Sequence, residues 1–120
     1  MKYFFDTYAI IEIIEENKSY EKYKEEEIIT SILNVGELFY ALQKSSDEKT
    51  ADTWHEKLKQ SAIMIDAEII KKAMKFRIEN KEKKFSFIDC IGYELAKERN
   101  LRFLTGDGGF RNMDNIEFVK

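Results

Sequence analysis

Hydrophobic and polar positions along the chain switch between a strand-like and a helical period, and the switches mark out its elements. The aromatic run Lys2–Phe5 predicts a short strand that ends in Asp6-Thr7. From Tyr8 to Glu16 the apolar set Ile10, Ile11, Ile13 and Ile14 predicts a helix packed on that strand. Lys18–Glu26, charged and spaced with tyrosines, reads as a helix or a loop, and Glu27–Thr30 reads as a second short strand. A long helix is expected from Ser31 to about Lys44, with Ile32, Val35, Leu38, Phe39 and Leu42 on its inner face. Ser45 and Glu48 have the Ser-x-x-Glu spacing of a capping box and open the next helix, which carries Trp54 and Leu58.

The second half repeats the alternation. Ala62–Ile65 predicts a third strand, and Asp66 caps a helix with the apolar stripe Ile69, Ile70, Ala73, Met74 and Phe76. Ser86 opens a helix that turns Phe87, Ile88, Ile91, Leu95 and Ala96 inward and stops at Asn100. Leu101–Leu104 predicts a buried strand, a glycine-rich loop follows, and Ile116–Val119 closes the chain as a last strand. Strands alternating with helices imply an α/β fold, with a central, mainly parallel sheet flanked by helices on both faces. The length of 120 residues corresponds to one domain spanning 1–120.

Composition narrows the class. The chain is 43% hydrophobic, enough for a core without disulfide or structural metal. Its single cysteine, Cys90, has no partner in the chain, and there is no Cys/His cluster, which fits a reducing cytosol. The apolar N-terminal stretch is interrupted by Asp6 and Glu12 and is followed by no small-residue cleavage site. No apolar run approaches the roughly 20 residues of a membrane span, so the expectation is a cytoplasmic protein that does not enter a membrane. A net charge of −3 does not advertise nucleic-acid binding. A site that grips phosphates through metal ions is itself acidic, however, so the charge does not exclude a nuclease.

Ligands of such sheets bind beyond the carboxyl ends of the strands. Asp6 and Asp107 fall there directly. Glu37, about two turns into the helix after the second strand, and Asp89, in the first turn of the helix before the Asp107 strand, are placed to join them. Each also has a local explanation. Asp6 can cap a helix, Glu37 can sit on a solvated edge, Asp89 completes the capping box begun by Ser86, and Asp107 can serve a plain turn. Four carboxylates brought together oppose one another's ionisation, and a hard divalent cation reverses that sign. Competing chemistries are scarce: His55 is the only histidine and has no partner at ligand spacing. The basic stretch Lys71, Lys72, Lys75, Arg77, Lys81, Lys83 and Lys84 can track an RNA backbone or, with Glu79 and Glu82 interleaved, form a solvated face. Trp54, His55, Tyr20, Tyr23 and Tyr40 can stack on bases or pack in a core or partner face.

Four blocks in order, a strand ending in Asp6-Thr7, then Asn34-x-x-Glu37-Leu38, then Phe87-Ile88-Asp89, then Leu104-Thr105-Gly106-Asp107-x-x-Phe110, resemble the PIN domain family. Within it the chain looks most like the short, single-domain VapC-type toxins of prokaryotes. The resemblance implies that Asp6, Glu37, Asp89 and Asp107 form an acidic quartet that binds Mg2+ or Mn2+. It also implies that Thr105 helps position the acids or the attacking water, and that Thr7 and Asn34 support the first two acids. The implied activity is hydrolysis of RNA phosphodiester bonds, leaving a 5′-phosphate. The implied partners are an RNA substrate, an antitoxin protein that fills the active groove, and a second copy of the chain in a homodimer. The chain departs from the pattern in its bare final loop, where Gly106, Gly108 and Gly109 surround Asp107.

Three rival readings stand beside this one. They are an RNA-processing nuclease outside a toxin–antitoxin pair, a PIN fold kept for binding alone, and an acid-cluster phosphotransfer protein. The last wants paired acids or Asp-x-Asp after the first strand, where this chain has Asp6-Thr7-Tyr8.

Overall fold

The computed structural model describes residues 2–120. In chain order the elements are β1 (Tyr3–Phe5), α1 (Thr7–Ile14), α2 (Ile32–Ser45), α3 (Glu48–Lys59), α4 (Ala67–Glu79), α5 (Phe87–Glu98), β2 (Arg102–Thr105) and β3 (Ile116–Phe118). Short 3-10 turns cover Lys18–Tyr23, Lys81–Lys83 and Gly108–Phe110. The three strands form a parallel sheet with β2 in the centre; Phe4 pairs with Phe103, and Phe103 with Ile116.

Two predicted strands reduce to single bridges. Residues 27–30 join the sheet only where Ile29 bridges Phe4, and residues 62–65 do not reach it: Ile63 bridges Ser31, which lies outside the three strands. Their backbone bonds keep the parallel direction, with Phe5 N–H donating to Ile29 O (2.8 Å) and Ile63 N–H to Thr30 O (2.9 Å). Each segment leaves the ladder after one residue pair. The capping expectation at residue 45 also changes. Ser45 is the last residue of α2, and Asp47 caps α3 by accepting from Thr50 N–H. Lys18–Glu26, expected as a helix or a loop, contains a 3-10 turn over Lys18–Tyr23 whose Tyr20 and Tyr23 are buried. Tyr40 is exposed.

Successive strand residues point to opposite faces, and this divides the core in two. Phe4 and Phe103 join α4 and α5 on one face, and Phe5 and Leu104 join α1, α2 and α3 on the other. Helices therefore cover both faces, as the alternation of elements predicts. Gly92 is what allows α5 to lie close, since a Cβ there would stand 3.0 Å from the Phe4 ring and 3.1 Å from that of Phe103. Asn100 takes the left-handed conformation (φ 57°) as α5 ends and turns the chain into β2. Among the described residues, no helix is long and apolar enough to cross a membrane.

Candidate active site

Asp6 is the innermost acid. It follows β1, caps α1 by accepting from Thr7 N–H (2.8 Å), and is only 4% exposed. Its second oxygen accepts from the Thr105 hydroxyl at 2.7 Å. Thr105, the last residue of β2 and fully buried, also accepts from the backbone N–H of Asp107 (3.1 Å). One hydroxyl thus joins the end of β1 to the loop after β2. Asp107 in turn accepts from Gly109 N–H (2.9 Å), which opens the 3-10 turn Gly108–Phe110.

Support for Asp6 continues behind it. The Asn34 amide donates to Thr7 Oγ1 (3.0 Å), and Asn34 Oδ1 accepts from the Ser31 hydroxyl (2.6 Å). Both Asn34 and Ser31 are buried. This short chain of bonds ties α2 to the start of α1, so Thr7 and Asn34 form a brace for Asp6. Ser31 was legible in the sequence only as a helix start, and its further bond to Asn34 carries no local signature.

Asp89 occupies the first turn of α5 in a reciprocal capping box. Ser86 N–H donates to its Oδ2 (3.0 Å), while its own N–H donates to Ser86 Oγ (3.1 Å). The capping reading of Asp89 is therefore correct, and it does not compete with a place in the site. A carboxylate has about four acceptor positions, and the cap uses one. Glu37 projects from α2 and is half-buried.

These side chains meet at one groove of about 520 Å3. Asp6, Thr7, Glu37, Asp89 and Asp107 all line it, together with Tyr8, Ile11, Gly106 and Lys120. Thr105 and Asn34 lie behind its wall. No sequence signal places Tyr8 or Lys120 there; tertiary packing brings them in. Among the described residues, no three His, Cys, Asp or Glu side chains close on one point as a ready metal cage. The acids face a shared space, each held by hydrogen bonds from its own segment.

The electrostatics follow from this crowding. Burial pushes the Asp6 carboxyl from 3.8 up to about 7, and the charges of Asp89 and Glu37 push the same way, against the bonds from Thr105 and Thr7. Asp89 is also raised, first by burial and then by the charge of Asp107; its bonds to Ser86 and the charge of Arg77 oppose the rise. The cluster is a place where positive charge is in short supply.

The sequence pattern that defines the PIN domain matches residues 3–116. The chain belongs to the PIN domain family. Solved structures share this PIN fold over nearly its whole length. A sarcin-ricin loop cleaving toxin of Mycobacterium tuberculosis, VapC20, is 15% identical, with a TM-score of 0.83 over 99% of this chain and all of the other. A toxin–antitoxin complex from Klebsiella pneumoniae gives 0.72 at 16% identity, over 97% of this chain and 96% of that one. VapBC2 from Rickettsia felis, bound to a DNA fragment from its promoter, gives 0.70 at 20% identity, over the full length of both. At these identities the likeness is one of fold. No curated protein matches the sequence.

Proposed function

We propose that this PIN domain is a Mg2+- or Mn2+-dependent endoribonuclease and the toxin of a toxin–antitoxin pair. The observation that carries the reading is the groove itself. Four carboxylates from four separate segments, Asp6, Glu37, Asp89 and Asp107, line one space, and Thr105 is bonded to two of those segments. A carboxyl raised to about 7 by burial, and pushed the same way by its acidic neighbours, suits a site completed by a cation. The donors are all hard oxygens, the type that Mg2+ and Mn2+ prefer. The lack of a closed cage suits an ion that keeps several of its waters and takes one or two carboxylates directly.

Asp6 and Asp89 would hold the ion, with Glu37 and Asp107 facing it from the groove walls. Bound there, it supplies compensation for phosphodiester charge and acidifies water for attack. The protein's own contribution is positional. Thr105 fixes the rotamer of Asp6 and the backbone of the Asp107 loop, Asn34 and Thr7 brace the start of α1, and the capping box sets Asp89. Groups held this way lose little further freedom when substrate binds. RNA is the proposed substrate, and an antitoxin protein and a second copy of the chain are the proposed partners. The fold-level likeness to VapC20 and to the Klebsiella and Rickettsia toxin–antitoxin complexes supports this assignment.

The test is cleavage of total cellular RNA by wild-type protein and by Asp89→Asn, each with Mn2+ and with EDTA. Asn can still accept from Ser86 N–H, so the fold should survive. Defined fragments from wild type with Mn2+ alone are the expected result. Equal cleavage by Asp89→Asn would sink the site assignment, and no cleavage by a folded wild type would favour the binding-only rival.

A further inference from the structure

A second groove, of about 510 Å3, runs along α4 and the Lys81–Lys83 turn. Met74, Ile78 and Phe85 give it apolar walls, and Arg77, Lys81 and Lys84 give it charge. No carboxylate lines it, although Glu79 and Glu82 lie between these residues in sequence. The fold thus divides the basic stretch: Arg77, Lys81 and Lys84 line the groove, and Lys71, Lys72, Lys75 and Lys83 do not. Lys72 pairs with Glu98, and Lys83 reaches the carbonyl of Gly109 in the Asp107 loop (3.2 Å). Among the described residues, Arg77, Lys81 and Lys84 form no ion pair with a carboxylate.

Position relates this groove to the acidic one. Arg77 Nε donates to the carbonyl of Phe85 (3.2 Å), and the next residue, Ser86, is locked to Asp89 by the capping box. The segment Phe85–Asp89 is therefore a wall common to both: Phe85 lines the cationic groove and Asp89 the acidic one. Lys84 is held in the left-handed conformation (φ 59°), which a lysine adopts only at a cost. Ile78 is 66% exposed beside these cations. Unpaired cations above an apolar surface complement a strand of phosphates with unstacked bases.

We infer that this groove is the binding track for the single-stranded RNA that flanks the cut bond, with Arg77, Lys81 and Lys84 on phosphates and Met74 and Ile78 against bases. The inference rests on the nuclease reading and extends it by giving the substrate a path away from the acidic site. Arg77 also supports the Phe85 carbonyl, so the two lysines are the cleaner probes.

The experiment compares Lys81→Glu/Lys84→Glu with Lys71→Glu/Lys75→Glu, an equal charge change on exposed lysines outside the groove. A fluorescein-labelled pool of mixed-sequence single-stranded RNA is titrated with each protein in EDTA at several salt concentrations, and wild-type cleavage of total RNA is followed separately in Mn2+. The groove pair should bind at least about tenfold more weakly at low salt, with the slope of log affinity against log salt shallower by about 1.4, the share of two phosphate contacts on a single strand. The control pair should change far less. Lys84→Gly should keep or raise the melting temperature, because glycine suits a positive φ, and should still weaken binding. Equal effects of the two pairs, or none from the groove pair, would overturn the track; continued wild-type cleavage in Mn2+ would then leave the nuclease reading standing. Wild type that binds no RNA would overturn the track as well. Selective loss of binding in the groove pair, with no cleavage by wild type, would uphold the track and count against the nuclease.

Discussion

The Thr105 hydroxyl donates to the Asp6 carboxylate at 2.7 Å across 99 positions of sequence, and the same oxygen accepts from Asp107 N–H. Replacing Thr105 with Val keeps the shape and removes both bonds. A part-buried N–H left without an acceptor and a buried carboxylate that keeps only its bond from Thr7 N–H should cost about 1–3 kcal/mol of stability. Cleavage should fall by roughly a hundredfold, since Asp6 and Asp107 lose their common reference point. Thr105→Ser should keep most of both properties. Denaturant titration and cleavage rates on the three proteins check this.

Stability of the metal-free protein should fall as pH rises. The folded-state value for Asp6 is about 7 against an ordinary 3.8, so the native state holds the proton more tightly than the unfolded chain. That contribution is full below about pH 4 and is lost as pH rises through 7. At about 1.4 kcal/mol per unit of displacement, the loss amounts to several kcal/mol. Asp89 shifts in the same direction and adds to the slope. Asp6→Asn should therefore abolish cleavage yet make the EDTA-treated protein more stable than wild type at pH 8, with a flatter profile between pH 4 and 8. Urea unfolding in EDTA across that range would overturn the electrostatic account if wild type were flat.

The glycines of the final loop should separate sharply. A Cβ at Gly106 would fall against the Tyr8 ring and 2.7 Å from the carbonyl of Val119, whereas one at Gly108 meets nothing within 4 Å. Gly106→Ala should destabilise the protein by about 1–3 kcal/mol or more through overpacking. Gly108→Ala should leave the melting temperature nearly unchanged. A comparison of the two melting curves is sufficient.

Phe110 anchors the loop that carries Asp107. It is fully buried and stacks on Phe85 with centroids 4.0 Å apart. Phe110→Ala should cost about 3–5 kcal/mol and weaken cleavage further by loosening Asp107. Unfolding free energy and cleavage, measured at a temperature where the variant is fully folded, would expose a miss if the stability change were below 1 kcal/mol.

Local signals in the sequence determined most of the helices, whereas the four acids stood out only through the resemblance to the PIN family, since each also had a local explanation. Ser31, Asp66 and Ser86 each cap the helix that begins after them, because a cap and its recipient N–H lie within three residues and need nothing distant. The alternation of strands with helices along the chain likewise pointed to a sheet covered on both faces, and the structure divides Phe4 and Phe103 from Phe5 and Leu104 accordingly. At residue 45 two local caps competed, and the aspartate two positions later prevailed. The residues near Ile29 and Ile63 look like strands because they are apolar, but the length of a ladder depends on how far its neighbour runs alongside, and only the folded chain decides that. The same holds for the site. The bond from Asn34 to Thr7, the bond from Thr105 to Asp6, the presence of Tyr8 and Lys120 at the groove, and the sorting of Arg77, Lys81 and Lys84 from the other basic residues all join segments remote in sequence. Capping and periodicity are short-range and so are written locally; the convergence of charges is set by how the helices and strands pack, which is a property of the whole chain.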